Sequence, residues 1–567
     1  MTRRGAAAGD PLAVGRRRRI IVVTVFALLA YGGLFARAVQ LQALDASWLA
    51  RRAELQRNGT LALGALRGPI VDRAGAPLAL SAWVQSVSAS PRLVDDRLAT
   101  SRALGRALGI PAARVGAQLE PSRGFAWIAR WVTPEQAERV RALDLAGVRL
   151  HPERKRFYPN RALAAAYLGF AGRDGNGLSG IELAFDESLR GTPTRLAVQR
   201  DGHGRRLMTT SGQTRERRGA RLVLALDVKL QQLAEEALEH ALESTQARHL
   251  SLVALDPRNG DVLALAEAPG FDPNRFWEAN PGAFRTRSFV DAFEPGSTLK
   301  PFTLALALEA GVVRESDEFD CENGSWQVHD RVIRDWRPHG VLDVRDILAM
   351  SSNIGAAKVA NRLGSQRLVS GLRRLGFGER TGSRFPGEAA GILRPLREAQ
   401  SVERANLAFG QGLTVTTLQL AASGAVFANG GRRVHPRMAL RLEDEHGVTE
   451  FPSGLGERVL PAEVADRVLR MMRRVVEHGT GASAAVPSLR VAGKTGTAQK
   501  VVDGRYSQEH YVASFLGIFP ADAPRLVIAV VVDEPRRGAH TGGGAAAPIF
   551  RTVARRAARS LPADGAS

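Results

Sequence analysis

The chain has 567 residues, 44% of them hydrophobic and 24% charged, a globular composition spread over more length than one ordinary domain needs. Lys and Arg number 78 against 57 Asp and Glu, a formal net charge of +21. The basic residues are scattered and lack an aromatic-basic recognition motif, so an anionic membrane surface or polymer is the expected partner and nucleic acid is not. One cysteine, Cys321, excludes an intramolecular disulfide and a Cys-based metal cluster. With no H-E-x-x-H among the 11 histidines, neither a metal nor a cofactor is expected.

Residues 1–19 form a short basic tail ending in Arg16-Arg17-Arg18-Arg19. Ile20 to Ala36 follows without a charge, close to the lower limit of about 17 residues for a spanning helix, and Arg37 can snorkel to lengthen it. We expect a transmembrane helix over 20–40, its arginine-flanked end in the cytoplasm and the rest of the chain across the membrane. Ala36-Arg37-Ala38 matches a signal-cleavage site loosely. The arginine inside it and the apolar residues beyond favour an uncleaved anchor. Residues 41–218 mix helical patterns with short apolar runs and hold no catalytic constellation; they read as a pedestal domain. Arg67, Asp72 and Arg73 read as a structural ion pair, and the polar, Gly-rich stretch from Asp201 to Arg218 as a linker.

From 219 to 560 the character changes. Leu222 to Asp227 predicts a strand and Leu230 to Leu242 a helix. Leu252–Leu255 with Val262–Leu265, and Tyr511–Ile518 with Leu526–Val532, predict two hairpins. Strands at both ends with helices between them imply an α/β (mixed α+β) fold around one mostly antiparallel sheet. Residues 561–567 read as a tail.

Three short motifs lie in this region. Glu294-Pro295-Gly296-Ser297-Thr298-Leu299-Lys300 sets a serine and a lysine three residues apart before the apolar run Phe302 to Leu308. On a helix starting at Ser297 the two share a face, so the amine can reach the hydroxyl. A serine needs such a base to become a nucleophile, and burial or a second cation lets a lysine act as one. Ser351-Ser352-Asn353 follows an apolar segment, and Lys494-Thr495-Gly496-Thr497 sits where a strand can run. S-x-x-K, S-x-N and K-T-G in this order form the triple of serine acyl-transferring enzymes.

With Arg67-Gly68 through Asp72-Arg73-Ala74-Gly75, Leu168-Gly169-Phe170, Gly180-Ile181-Glu182, Gly410-Gln411-Gly412 and Ala513 to Gly517, the chain resembles the class B penicillin-binding proteins. The division-specific FtsI type of peptidoglycan DD-transpeptidase is the nearest likeness. The resemblance implies a penicillin-binding/β-lactamase-like transpeptidase domain over 219–560. It implies Ser297 as nucleophile on the D-Ala-D-Ala bond of a stem peptide and Lys300 as its base. Ser351 would pass a proton to the leaving D-Ala, and Asn353 would hold the donor amide and orient Lys300. Lys494 would set the electrostatics, and Thr495 and Thr497, flanking Gly496, would hold the terminal carboxylate. The N–H groups of Ser297 and Thr497 would form the oxyanion hole. β-Lactams would be inhibitors, and an FtsW-type lipid II polymerase and other division proteins would be partners in the inner membrane. One departure is visible: His540-Thr541-Gly542-Gly543 replaces the family's Tyr-x-Gly-Gly, removing an aromatic from the rim. An elongation-type class B enzyme is the closest rival. A DD-carboxypeptidase, a β-lactamase using Glu388 to activate water, and a non-enzymatic division scaffold are the others.

Overall fold

The N-terminal arginines and the apolar run after them lie on one helix, Pro11–Val39, despite Gly32 and Gly33, as a segment able to span lipid must satisfy its backbone hydrogen bonds internally. A five-residue wide turn, Gln40–Leu44, and a second helix, Ala46–Arg57, follow. Side chains from Ile20 to Phe35 cover no core, and the stretch from Arg16 to Leu44 is long and apolar enough to cross a membrane. The computed structural model describes residues 11–63, 65–191, 194–200, 206–208 and 218–559. The chain divides into two compact units. The first holds the two helices and a three-stranded antiparallel sheet of Asn58–Leu63, Thr194–Arg200 and Arg206–Met208. The expected linker therefore contains a strand, Arg206–Met208; its residues 201–205 and 209–217 lie outside the described residues, as do the tail residues 1–10 and 561–567.

The second unit joins residues 66–191 to 218–567. Its seven-stranded sheet crosses the boundary drawn from the sequence. The two-residue strand Ile70–Val71 pairs in parallel with Arg221–Leu224, which continues into Ala439–Asp444 and Gly447–Glu450. On its other side Ile70–Val71 meets the long strand Pro77–Ala89, which also takes Ala126–Val132 and Val148–Phe157, all antiparallel. A buried ionic cluster pins this region. Glu182, fully buried, accepts from Arg67 Nε at 2.5 Å, Arg156 Nε at 2.7 Å and Tyr158 OH at 3.1 Å, while Arg67 Nη1 reaches Asp186 at 2.6 Å. The structural ion pairing expected of this stretch is present for Arg67 and Arg73, with carboxylates distant in sequence and not with Asp72. Asp72 instead accepts the N–H groups of Ala74, Ala76 and Val228, and Arg73 faces Asp261 at 3.8 Å.

The second sheet of this unit has five strands, in the order Val262–Ala268, His249–Leu255, Leu526–Asp533, Arg505–Phe519 and Ala492–Val502. Every neighbouring pair is antiparallel. Both expected hairpins are present. Period-two alternation sends Leu526, Ile528 and Val530 into one core, under helices Val228–Thr245 and Ala547–Ala557, and Val527 and Ala529 into the other. That second core surrounds helix Lys300–Glu309, buried on all sides from Lys300 to Leu308. A helix with no solvent face is apolar all round, which is why the run after Lys300 has no polar stripe.

Candidate active site

Ser297 lies on a 3-10 turn, Gly296–Leu299, and Lys300 is the first residue of the helix. This corrects the expectation of a helix starting at Ser297, and the reason is local. Gly296 takes φ +56°, and Pro301 suits the first turn of a helix, where its missing N–H is not needed. Gly296 is also squeezed: a Cβ there would stand 2.8 Å from Thr497 O. The Ser297 turn is thus pressed on the strand that carries the third motif. Gly496 is equally confined, its missing Cβ aimed 2.3 Å from Ser514 Oγ and 2.6 Å from Pro295 O.

Helix Val344–Met350 ends at Ser351, which adopts a left-handed backbone at φ 63°. That turn aims two oxygens of Ser351 at Lys300: Nζ donates to Ser351 O at 2.5 Å and to Ser351 Oγ at 3.2 Å. Asn353, opening helix Asn353–Leu363, accepts from the same amine at 2.8 Å through Oδ1. Lys494, on the edge strand Ala492–Val502, brings its Nζ to 2.9 Å from Ser351 Oγ and 3.0 Å from Thr495 O. One hydroxyl therefore links two fully buried lysines. Burial lowers Lys300 to about 7, against partial opposition from Asp335 and Cys321. Burial also takes Lys494 well below its ordinary value, with the positive charge of Lys300 adding to the effect. Two amines that share one acceptor and repel as cations favour a state in which one is neutral, the condition for a lysine base near neutral pH.

The structure brings Lys300, Ser351, Asn353, Lys494 and Thr495 into one hydrogen-bonded cluster and sets the Ser297 turn against Thr497. The hydroxyl of Thr495 is buried and bonded to Thr480 Oγ1 at 2.9 Å. Thr497 is exposed, and its hydroxyl accepts from Gly542 N at 3.1 Å.

Three supports were not anticipated. Asp335 Oδ2 accepts from Ser352 Oγ at 2.6 Å, while Oδ1 takes Asn353 N at 2.6 Å and Ile354 N at 3.1 Å. It thereby fixes the helix N-terminus that presents Asn353 to Lys300. Glu294 Oε1 accepts from Gly412 N at 2.9 Å and Tyr506 OH at 3.2 Å, and Gly296 N donates to Gly410 O at 3.1 Å. These bonds clamp the 410–412 loop to the Ser297 turn. Finally, His540 stacks on Tyr511 with ring centroids 4.5 Å apart, next to Thr541 and the Gly542 N–H that Thr497 accepts. Glu388 is engaged elsewhere: it accepts from Thr381 N and Oγ1 at 2.6 Å each and from Ser383 Oγ at 2.8 Å.

Residues 250–555 match the penicillin binding protein transpeptidase domain, and residues 62–224 the penicillin-binding protein dimerisation domain. The chain is 35% identical over 541 residues to the probable peptidoglycan D,D-transpeptidase PenA of Neisseria meningitidis, covering 94% of this chain and 91% of that one. It is 34% identical over 535 residues to the peptidoglycan D,D-transpeptidase FtsI of Escherichia coli, with 93% and 89% covered. The crystal structure of penicillin binding protein 3 from Mycobacterium tuberculosis in complex with aztreonam aligns with a TM-score of 0.68 at 29% identity, over 88% of this chain and 97% of that one. With the motif cluster assembled and both domains matched, the chain belongs to the class B penicillin-binding proteins, a family of peptidoglycan D,D-transpeptidases.

Proposed function

We propose that this protein cross-links peptidoglycan stem peptides during septal wall synthesis through an acyl-enzyme on Ser297. The observation that carries the proposal is the Lys300–Ser351–Lys494 bridge, two lysines lowered by burial around one hydroxyl beside the Ser297 turn. Ser297 Oγ attacks the carbonyl of the penultimate D-Ala as its proton passes to the neutral amine of Lys300. The C–N bond breaks, and the departing D-Ala nitrogen takes a proton through Ser351 Oγ. An amine of a second stem peptide then attacks the ester, forms the cross-link and returns the hydroxyl to Ser297. The terminal carboxylate of the donor suits the Lys494, Thr495 and Thr497 side of the cleft, and its amide suits Asn353. The N–H groups of Ser297 and Thr497 serve as oxyanion donors. A β-lactam presents the same carboxylate and a strained amide, and so acylates the same serine.

The bonds that hold Glu388 to Thr381 and Ser383 count against a β-lactamase, which needs a carboxylate free to activate water. Similarity to FtsI of Escherichia coli is what supports the septal reading. The N-terminal helix is read as a single inner-membrane anchor with a cytoplasmic N-terminus and a periplasmic catalytic domain. The pedestal and this anchor would dock an FtsW-type polymerase. The reaction is tested by incubating detergent-purified protein and an FtsW-type polymerase with lipid II. Appearance of dimeric muropeptides with stoichiometric D-Ala release supports transpeptidation; D-Ala release without dimers would mean a carboxypeptidase. For the role, depletion in the source cell should give filaments, and rounded cells would instead indicate elongation.

A further inference from the structure

On the pedestal strand Ala126–Val132 the register against Pro77–Ala89 slips between Gln85↔Val132 and Val87↔Ala129. The slip is a bulge, and Trp131 sits in it at φ 58°. For a bulky residue that conformation is an outlier that costs on the order of 1–3 kcal/mol and persists only where something holds it. Here Ser86 Oγ holds it by accepting from Trp131 N at 2.9 Å. The bulge re-aims an indole toward a second one, Trp277, with ring centroids 6.2 Å apart. Arg173 Cζ lies 5.7 Å from the Trp131 ring and 5.4 Å from the Trp277 ring, and Lys155 Nζ lies 5.7 Å from Trp131. Arg130 extends the row, 5.8 Å from Trp131 and 5.3 Å from Trp127. Trp277 is 47% exposed and Trp127 36%.

We propose that this row of indoles and cations binds the glycan strand of the peptidoglycan whose stem peptides the active site joins. The exposed indoles, Trp277 and Trp127, match the C–H faces of pyranose rings, while Trp131, covered by Arg173, Lys155 and Arg130, holds the cations that match hydroxyl and carboxylate groups at the ring edges. Arg130 is neutralised by Glu153 at 2.7 Å, whereas neither Lys155 nor Arg173 has a carboxylate at ion-pair distance among the described residues, so those two offer positive charge to an anionic polymer. A lipid surface would call for a contiguous apolar patch, whereas this one is interleaved with cations. The proposal rests on peptidoglycan being the substrate, and its test is kept apart from the chemistry of Ser297.

The experiment measures binding of the full chain, in detergent, to soluble glycan strands freed of stem peptides by an amidase, with acylation of Ser297 by a fluorescent penicillin as the parallel readout. Wild type should bind saturably. Trp277→Ala and Arg173→Ala, both at exposed positions, should each weaken binding about five- to tenfold. Trp277→Phe should retain most of it, with penicillin labelling and melting temperature unchanged throughout. Absence of glycan binding by wild type would overturn the proposal. So would unchanged binding by both alanine variants, or a loss of binding accompanied by an equal loss of labelling and stability, which would mark the row as structural.

Discussion

Asp335 offers the sharpest test of the proposal that Lys300 acts as the base. In Asp335→Asn the carboxylate that takes Ser352 Oγ, Asn353 N and Ile354 N becomes an amide with one acceptor oxygen. Hydrogen bonds to a charged group contribute about 1.5–3 kcal/mol and neutral ones about 1, so this corner should lose roughly 2–4 kcal/mol. Two consequences separate by pH. Asp335 raises Lys300 against the lowering by burial, so its removal moves Lys300 further below about 7. Wild-type acylation by benzylpenicillin should therefore rise with pH around a midpoint near about 7, and the midpoint of the variant should lie lower. At pH 8.5 Lys300 is mostly neutral in both proteins, and what remains is the displacement of Asn353, worth about tenfold or more in the second-order rate constant. The assay is stopped-flow acylation from pH 5.5 to 9. A flat wild-type profile, a variant midpoint that moves up, or equal rates at pH 8.5 would refute the reasoning.

Other predictions follow from the same contacts. Glu182→Ala leaves Arg67 and Arg156 buried without their shared carboxylate and should destabilise the second unit by about 3–5 kcal/mol, read as a lower melting temperature. Gly296→Ala puts a Cβ 2.8 Å from Thr497 O at φ +56°, so it should abolish penicillin labelling of Ser297 while much of the fold survives in circular dichroism. Lys300→Met tests linkage. Because Lys300 falls from 10.5 to about 7 on folding, the unfolded chain binds the extra proton between those values, and wild-type stability rises with pH across that window. Below about 7 both states are protonated and the penalty is constant. The variant lacks the penalty, so its stability relative to wild type should be greater at pH 7 than at pH 9, by up to ~1.4 kcal/mol per pH unit.

The cluster's serine and lysines were legible because their motifs sit in local spacing: three residues apart before an apolar helix for Ser297 and Lys300, and on one strand for Lys494 to Thr497. The hairpins were legible because apolar runs such as Leu252–Leu255, Val262–Leu265 and Leu526–Val532, broken by turn residues, are what strands buried on both faces require. Asp335 and Thr480 were not, since each reaches the site from a distant loop and only the tertiary fold defines the contact. The same holds for Arg67, whose partners Glu182 and Asp186 lie far along the chain while Asp72 and Arg73, close in sequence, turn elsewhere. The seven-stranded sheet escaped because its joint, Ile70–Val71, is too short to show a period. The 3-10 turn under Ser297 is set by contact of Gly296 with the Thr497 strand, a tertiary constraint that helix propensity does not contain.

The central claim is that Ser297 is acylated and holds its acyl group. Intact mass of the detergent-purified chain after incubation with benzylpenicillin, beside a Ser297→Ala variant, tests it directly. Wild type should carry a long-lived adduct of one penicilloyl group and the variant none. An adduct that persists on Ser297→Ala, or a wild-type protein that returns rapidly to its unmodified mass while hydrolysing the drug, would contradict it.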